Sequence, residues 1–133
     1  MTGHHPVDQI VRELGQRWGL GALDWDDRRS IRLCFDASCV VQLLEVEEGL
    51  WVSAAVGVWT GTEDDTLAVR LLQANGPLQR AGIGTLALTE DSADIELCHY
   101  VPSESLTADG LSSWLLRFVE AAQHWERALQ AAH

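Results

Sequence analysis

The chain has 133 residues, 47% of them hydrophobic, which suits one domain around one core and excludes a disordered tail protein. Its nine basic residues are all arginines, twenty carboxylates outnumber them, and the net charge is −11. Phosphate binding needs a clustered positive field, and the one local basic cluster (Arg28, Arg29, Arg32) directly follows Asp24, Asp26 and Asp27, so neither nucleic acid nor an anionic membrane is an expected partner.

Residues 1–6 have no cationic start and no apolar core, so they read as a mobile terminus and no secretion signal is expected. Val7, Ile10, Val11, Leu14 and Trp18 recur at spacings of three and four, which predicts an amphipathic helix over 6–18 with Pro6 in its first turn. Gly19 and Gly21 end it. A charged loop follows over 24–29, whose carboxylates read as solvated surface. The period then changes to two. Ile31, Leu33 and Phe35 form one strand, a turn falls at 36–38, and 39–46 form a second. After Glu47-Glu48-Gly49, the alternation of Leu50, Val52, Ala54, Val56 and Val58 predicts a long third strand. Two such short connections leave no room for crossovers, so the three strands form an antiparallel meander.

Thr62-Glu63-Asp64-Asp65 has the hydroxyl and acids of a helix start. That helix carries Leu67, Ala68, Leu71 and Leu72, and Asn75-Gly76-Pro77 predicts its end. Leu86 and Leu88 fall on a fourth strand over 82–89, and Glu90-Asp91-Ser92 joins it to a fifth on which Ile95, Leu97, His99 and Val101 share a face. From Thr107 a last helix shows the seam Leu111, Leu115, Phe118, Ala122, Trp125, Leu129. The fold class is α+β: helix, three-stranded antiparallel meander, helix, two-strand hairpin, C-terminal helix, in a single domain over 1–133.

No constellation of residues reads as catalytic. Gly82-Ile83-Gly84-Thr85-Leu86-Ala87 matches a dinucleotide loop in form, but that loop works only between a strand and a following helix, and here the order is reversed. Cys34, Cys39 and Cys98 are an odd number, expected as free thiols in a reducing cytosol. Cys34 and Cys39 should face each other's neighbours across a hairpin, yet with Cys98 and His99 they lack the spacing of a zinc site, so neither metal nor cofactor is expected. No serine or cysteine stands beside a base on a glycine elbow. What remains is apolar surface. There are six tryptophans, and Trp51 and Trp59 fall on the strand face opposite Leu50 and Val52. An antiparallel sheet usually leaves one face to water, so either helices cover both faces or one is kept for a partner.

The order of elements and several short stretches resemble the class I type III secretion chaperones, the Tir-chaperone family. Leu14-Gly15 and Gly19-Leu20 resemble its first helix and the loop after it, and Leu71-Leu72-Gln73-Ala74-Asn75 its second helix. Leu86-Ala87-Leu88 before an acidic turn resembles its fourth strand, and Phe118-Val119-Glu120-Ala121-Ala122 with Trp125 its closing helix. The resemblance implies a bacterial cytoplasmic homodimer that holds the N-terminal segment of a secreted effector in a secretion-competent form, with no cofactor and no metal. The secretion-apparatus ATPase or a regulator are its candidate further partners. It places the dimer contact on the second helix and the next strand, here Val69, Leu72, Gln73, Ile83, Thr85 and Ala87. It places the effector on the first helix and first three strands, here Leu14, Trp18, Leu20, Leu33, Phe35, Val41 and Leu43, by groove filling and strand addition. Alternation does not separate core from client-facing residues among these seven. The alternatives are a regulatory protein-binding module of the same fold, acting on a cytosolic regulator, and a small enzyme, which would need a pocket with convergent polar groups.

Overall fold

The computed structural model describes residues 6–20, 23–35, 39–61, 65–91 and 93–132. The expected mobile terminus before Pro6, Gly21, the turn at 36–38, the helix start at 62–64 and Ser92 lie outside the described residues. The elements are α1 (Pro6–Arg17), β1 (Ser30–Cys34), β2 (Val40–Val46), β3 (Gly49–Val58), α2 (Asp65–Arg80), β4 (Thr85–Leu88), β5 (Asp94–Pro102), a 3-10 turn (Ser103–Ser105) and α3 (Ala108–Ala132). This is the order read from the sequence. The five strands form one antiparallel sheet in the order β1-β2-β3-β5-β4, so β5 inserts between the meander and β4, and β1 and β4 are its two edges.

One face of the sheet is the core. Ile31, Leu33, Val41, Leu43, Leu50, Val52, Ala54, Leu86, Ile95 and Leu97 pack there against Val7, Val11 and Leu14 of α1 and the α3 seam of Leu111, Leu115, Phe118, Ala122 and Leu129. The α3 helix opens with Thr107, whose hydroxyl accepts from the Gly110 N–H at 3.0 Å, satisfying one of the unpaired donors of the first turn. The end of α1 is closed by Gly19, in the left-handed region at φ 69°, with Leu20 N–H on the Gly15 carbonyl at 2.8 Å and Gly19 N–H on that of Gln16 at 3.2 Å.

Two expectations need correction. The second helix does not stop at Asn75-Gly76-Pro77 but runs on to Arg80. Gly76 removes the Cβ that would clash with the proline ring, and Asn75 turns its amide away from capping to bond the Leu86 backbone. The helix closes instead as α1 does, with Gly82 at φ 70° and Ile83 N–H on the Leu78 carbonyl at 3.0 Å. Gly82 of the dinucleotide-like motif is therefore a helix cap.

The second correction is at the end of β3. A bulge between Ala55 and Gly57 shifts the register and swaps the faces beyond it. Gly57 turns toward α3, where a Cβ would sit 2.8 Å from Leu129 Cδ1, and Val58 turns outward at 54% exposure.

Candidate protein-binding surfaces

The seven residues expected to meet a client divide cleanly. Leu14, Val41 and Leu43 are 0% exposed and Leu33 is 4% exposed, so these four are core. Their side of the sheet is the one that α1 and α3 cover, so in this conformation they offer no contact surface.

Trp18, Leu20 and Phe35 are different. Trp18 follows the last turn of α1 and Phe35 follows β1, and their rings meet edge to face at 5.6 Å between centroids. Both are half-buried against the core, and the Trp18 indole N–H donates to the Ser112 hydroxyl of α3 at 3.1 Å. Leu20, just beyond the Gly19 cap, is 51% exposed. These three residues bring the end of α1 and the end of β1 into one apolar corner.

Beside that corner runs the edge of β1. Phe35 N–H bonds the Cys39 carbonyl at 2.9 Å and Glu45 N–H the Arg29 carbonyl at 2.9 Å. With that parity, residues 29, 31, 33 and 35 turn their backbone groups toward β2, while Ser30, Arg32 and Cys34 turn theirs outward. Ser30 is already engaged. Its N–H donates to Asp26 Oδ1 at 2.9 Å, and its carbonyl accepts from the Asp26 N–H at 3.0 Å. The bonds from Ser30, the backbone one foremost, hold the Asp26 carboxyl below its ordinary range. Arg29, at φ 59°, sends its guanidinium to Glu45 and Asp8 and lies 4.5 Å above the Trp25 ring. Asp26 and Arg29 thus pin the loop before β1. The sequence alone gave that loop no structural role.

The second surface lies at the opposite edge of the sheet. Val69 is 48% exposed and Leu72 is 72% exposed, Gln73 is exposed, and Ile83, Thr85 and Ala87 are half-buried. Helical spacing puts Val69, Leu72, Gly76 and Gln79 along one side of α2. Gln79 donates to the Thr85 hydroxyl, which joins that side of the helix to the outward face of β4 and β5. Asn75 holds the helix there, its Oδ1 accepting from Leu86 N–H at 2.7 Å and its Nδ2 donating to the Leu86 carbonyl at 3.2 Å. From α3, the Trp114 indole N–H donates to the Gly82 carbonyl at 2.8 Å and Arg117 to the Ala81 carbonyl at 2.9 Å. Five of the six residues expected at a dimer contact therefore border one continuous surface, with Ile83 at its end.

The outward face also carries Tyr100, which the sequence did not single out. Trp51 and Tyr100 are cross-strand partners, 37% and 39% exposed, at one end of a groove of about 490 Å³ that also reaches Gln79, Thr85, Ala87, Glu96 and Cys98. Tyr100 lies over Gly49 and donates its hydroxyl to the Glu48 carbonyl at 3.0 Å. Alternation put Trp51 on this side, but the pairing of β3 with β5, which brings Tyr100 beside it, has no local signal.

The thiols and histidine of this region are structural. Cys34 is exposed and pairs with Val40, while Cys39 is buried, so the two lie on opposite faces of the hairpin rather than across it. Burial, with the Glu96 charge adding, pushes the Cys98 thiol up to about 11, and its Sγ lies 3.4 Å from the Thr85 carbonyl. A thiol so protonated is a poor nucleophile. His99 packs on Trp114 at 5.2 Å between centroids, and burial lowers its pKa, which favours the neutral ring. Among the described residues no three His, Cys, Asp or Glu side chains are grouped as a metal site needs, and no helix is long and apolar enough to cross a membrane.

Residues 9–126 match the model of the Tir chaperone protein (CesT) family. No curated protein sequence matches the chain. Among solved structures, a chain of the ExsC–ExsE complex is similar with a TM-score of 0.76 at 23% identity, over 91% of each chain. A chain of the HopA1–SchA chaperone–effector complex has a TM-score of 0.77 at 18% identity, over 96% of this chain and 99% of that one. One from the heterodimeric ExoU–SpcU complex of the Pseudomonas aeruginosa type III secretion system has a TM-score of 0.72 at 19% identity, over 88% and 95%. At such identities the likeness shows the fold.

Proposed function

The chain belongs to the Tir chaperone protein (CesT) family, and from that premise we propose that it works as a homodimer in the bacterial cytoplasm, holding the N-terminal segment of a type III-secreted effector partly unfolded until export. The observation that carries the client half of this reading is the Trp18–Phe35–Leu20 corner beside the outward edge of β1. A half-buried tryptophan–phenylalanine pair offers rigid apolar area at small entropic cost, and an open strand edge offers main-chain hydrogen bonds to an extended segment. The α2–β4 surface, with Leu72 largely bare, is the dimer contact. A chain of the HopA1–SchA chaperone–effector complex has the same fold. A chaperone of this kind asks for no catalytic group.

The test is co-expression with N-terminal fragments of secreted proteins encoded nearby, followed by limited proteolysis of the purified complex. A protected stretch close to the partner's N-terminus, and cleavage of the same stretch in the free partner, is the expected result. Protection of a whole folded partner supports the regulatory module in its place.

A further inference from the structure

The face that a second copy would cover holds a carboxylate that no described cation pairs with. Glu96 lies on β5 between Ala55 of β3 and Ala87 of β4, on the outward side shared by Thr85 and Cys98, and it is half-buried there. Besides Tyr100 and His99, which line the same groove, the latter stacked on Trp114 with burial favouring its neutral ring, the groups around it are few. On β5 itself stand Asp94, a like charge, and the Cys98 thiol, which burial keeps protonated. The neighbouring strands present only alanine side chains beside it. The α2 helix contributes the neutral amide of Gln79 to the same groove, and its Arg80 guanidinium lies back along the helix, 3.5 Å from where a Gly76 Cβ would sit. Among the described residues no ion pair engages Glu96.

We propose that association of two copies across this face takes up a proton at each Glu96, so that the dimer tightens as pH falls. The inference rests on the dimer reading above. Covering an ionised carboxylate with the exposed apolar groups of this face, Val69, Leu72 and Trp51, penalises its charged form, whereas the partner's Arg80, if it reached Glu96, would favour that form and reverse the pH dependence. In the single chain that penalty has begun: desolvation raises the Glu96 pKa, and Asp94 raises it further. A second copy deepens the burial, so the pKa in the dimer stands above that in the monomer. A group whose pKa rises on association contributes affinity that is fully present below the monomer value. That affinity is lost as pH rises through the dimer value. Each proton taken up changes the dissociation constant by at most about tenfold per pH unit, so two Glu96 side chains give at most about a hundredfold.

The experiment is sedimentation equilibrium of the purified chain at several pH values between about 7.5 and about 5, in high and low salt, for the wild type, Glu96→Gln and Asp91→Asn. Asp91 is an exposed carboxylate of the neighbouring turn, so its variant reports general relief of the negative charge. The expected result is a wild-type dissociation constant that falls with pH, a Glu96→Gln dimer tighter at neutral pH with a flatter profile, and an Asp91→Asn profile like the wild type. Calorimetric dilution of the wild-type dimer in two buffers of different ionisation enthalpy gives the proton release directly, whether or not the glutamine variant folds. A dimer whose affinity ignores pH or weakens on acidification, or a glutamine variant with the wild-type profile, overturns this inference and leaves the dimer reading standing. A wild-type monomer at every pH overturns both.

Discussion

Replacing Trp18 separates a client contact from a core contact. Trp18→Phe keeps a ring against Phe35 but removes the indole N–H that reaches Ser112, a residue only 8% exposed. The lost bond and the unsatisfied hydroxyl cost about 1–2 kcal/mol. Trp18→Ala removes the ring as well. Emptying a fully buried aromatic site costs about 3–5 kcal/mol, so a half-buried one with its edge-to-face contact to Phe35 comes to about 2–3 kcal/mol. A domain of ordinary stability, about 5–15 kcal/mol, stays folded through that loss, so client affinity is measurable on the variant. If the corner binds the client, Trp18→Ala weakens binding by more than about 1 kcal/mol, or more than about fivefold, while Trp18→Phe weakens it much less. The assay is denaturant unfolding followed by circular dichroism, paired with titration of the client segment onto variants shown to be folded. A Trp18→Ala protein that loses stability as calculated yet binds its client with wild-type affinity refutes the assignment and returns Trp18 to the core alone.

Leu72→Asp should give a folded monomer, since the side chain is 72% exposed in the single chain and such positions shift stability by less than about 0.5 kcal/mol. Light scattering checks it, and a wild-type monomer at micromolar concentration would sink it. Gly49→Ala should cost about 2–3 kcal/mol, because the new Cβ meets the Val101 carbonyl and the Tyr100 ring. Gly57→Ala should cost about 1 kcal/mol, because the nearest obstacle is the movable tip of Leu129. Denaturant midpoints that reverse that order would contradict the packing. Asn75→Ala should cost about 1–3 kcal/mol by leaving the Leu86 N–H and carbonyl without their partner, and amide exchange at Leu86 should accelerate; unchanged exchange there would refute the role.

Where one physical signal dominated, the sequence was legible. The α3 seam and the alternation of β1 to β3 mark the stripes from which the core is drawn, because burial shapes those stripes. The signal failed where a tertiary contact overrode a local preference. Asn75-Gly76-Pro77 is a stop signal in isolation, but Asn75 is committed to Leu86, eleven residues on, and the helix continues beneath it. The β3 bulge reverses Val58 and brings Gly57, which has no Cβ, under Leu129. The surfaces were half legible. Alternation could not tell Leu33 from Phe35, which share a parity. What separates them is where α1 and α3 run out: Leu33 lies under the helices and Phe35 at their limit, beside Trp18.

The two edges of the sheet are treated differently, and that difference bears on the proposed function. An open edge invites any extended chain to pair with it, so exposed edges are usually blunted. At β4 the Asn75 amide occupies both backbone groups of Leu86, copying the hydrogen bonds a further strand would make. At β1 the same device appears once, where Asp26 takes the N–H and carbonyl of Ser30, and it stops there. Arg32 and Cys34 still turn their backbone groups outward, next to the aromatic corner. On the proposed reading, strand addition goes to that stretch, whose neighbouring side chains can read the incoming segment, while β4, where only Leu88 still turns its backbone groups outward, associates through side chains. Because β1 and β4 are opposite edges of the sheet, a dimer built on the α2–β4 surface keeps two such stretches free, one on each copy. A client can then bind without competing for the contact that holds the chaperone together.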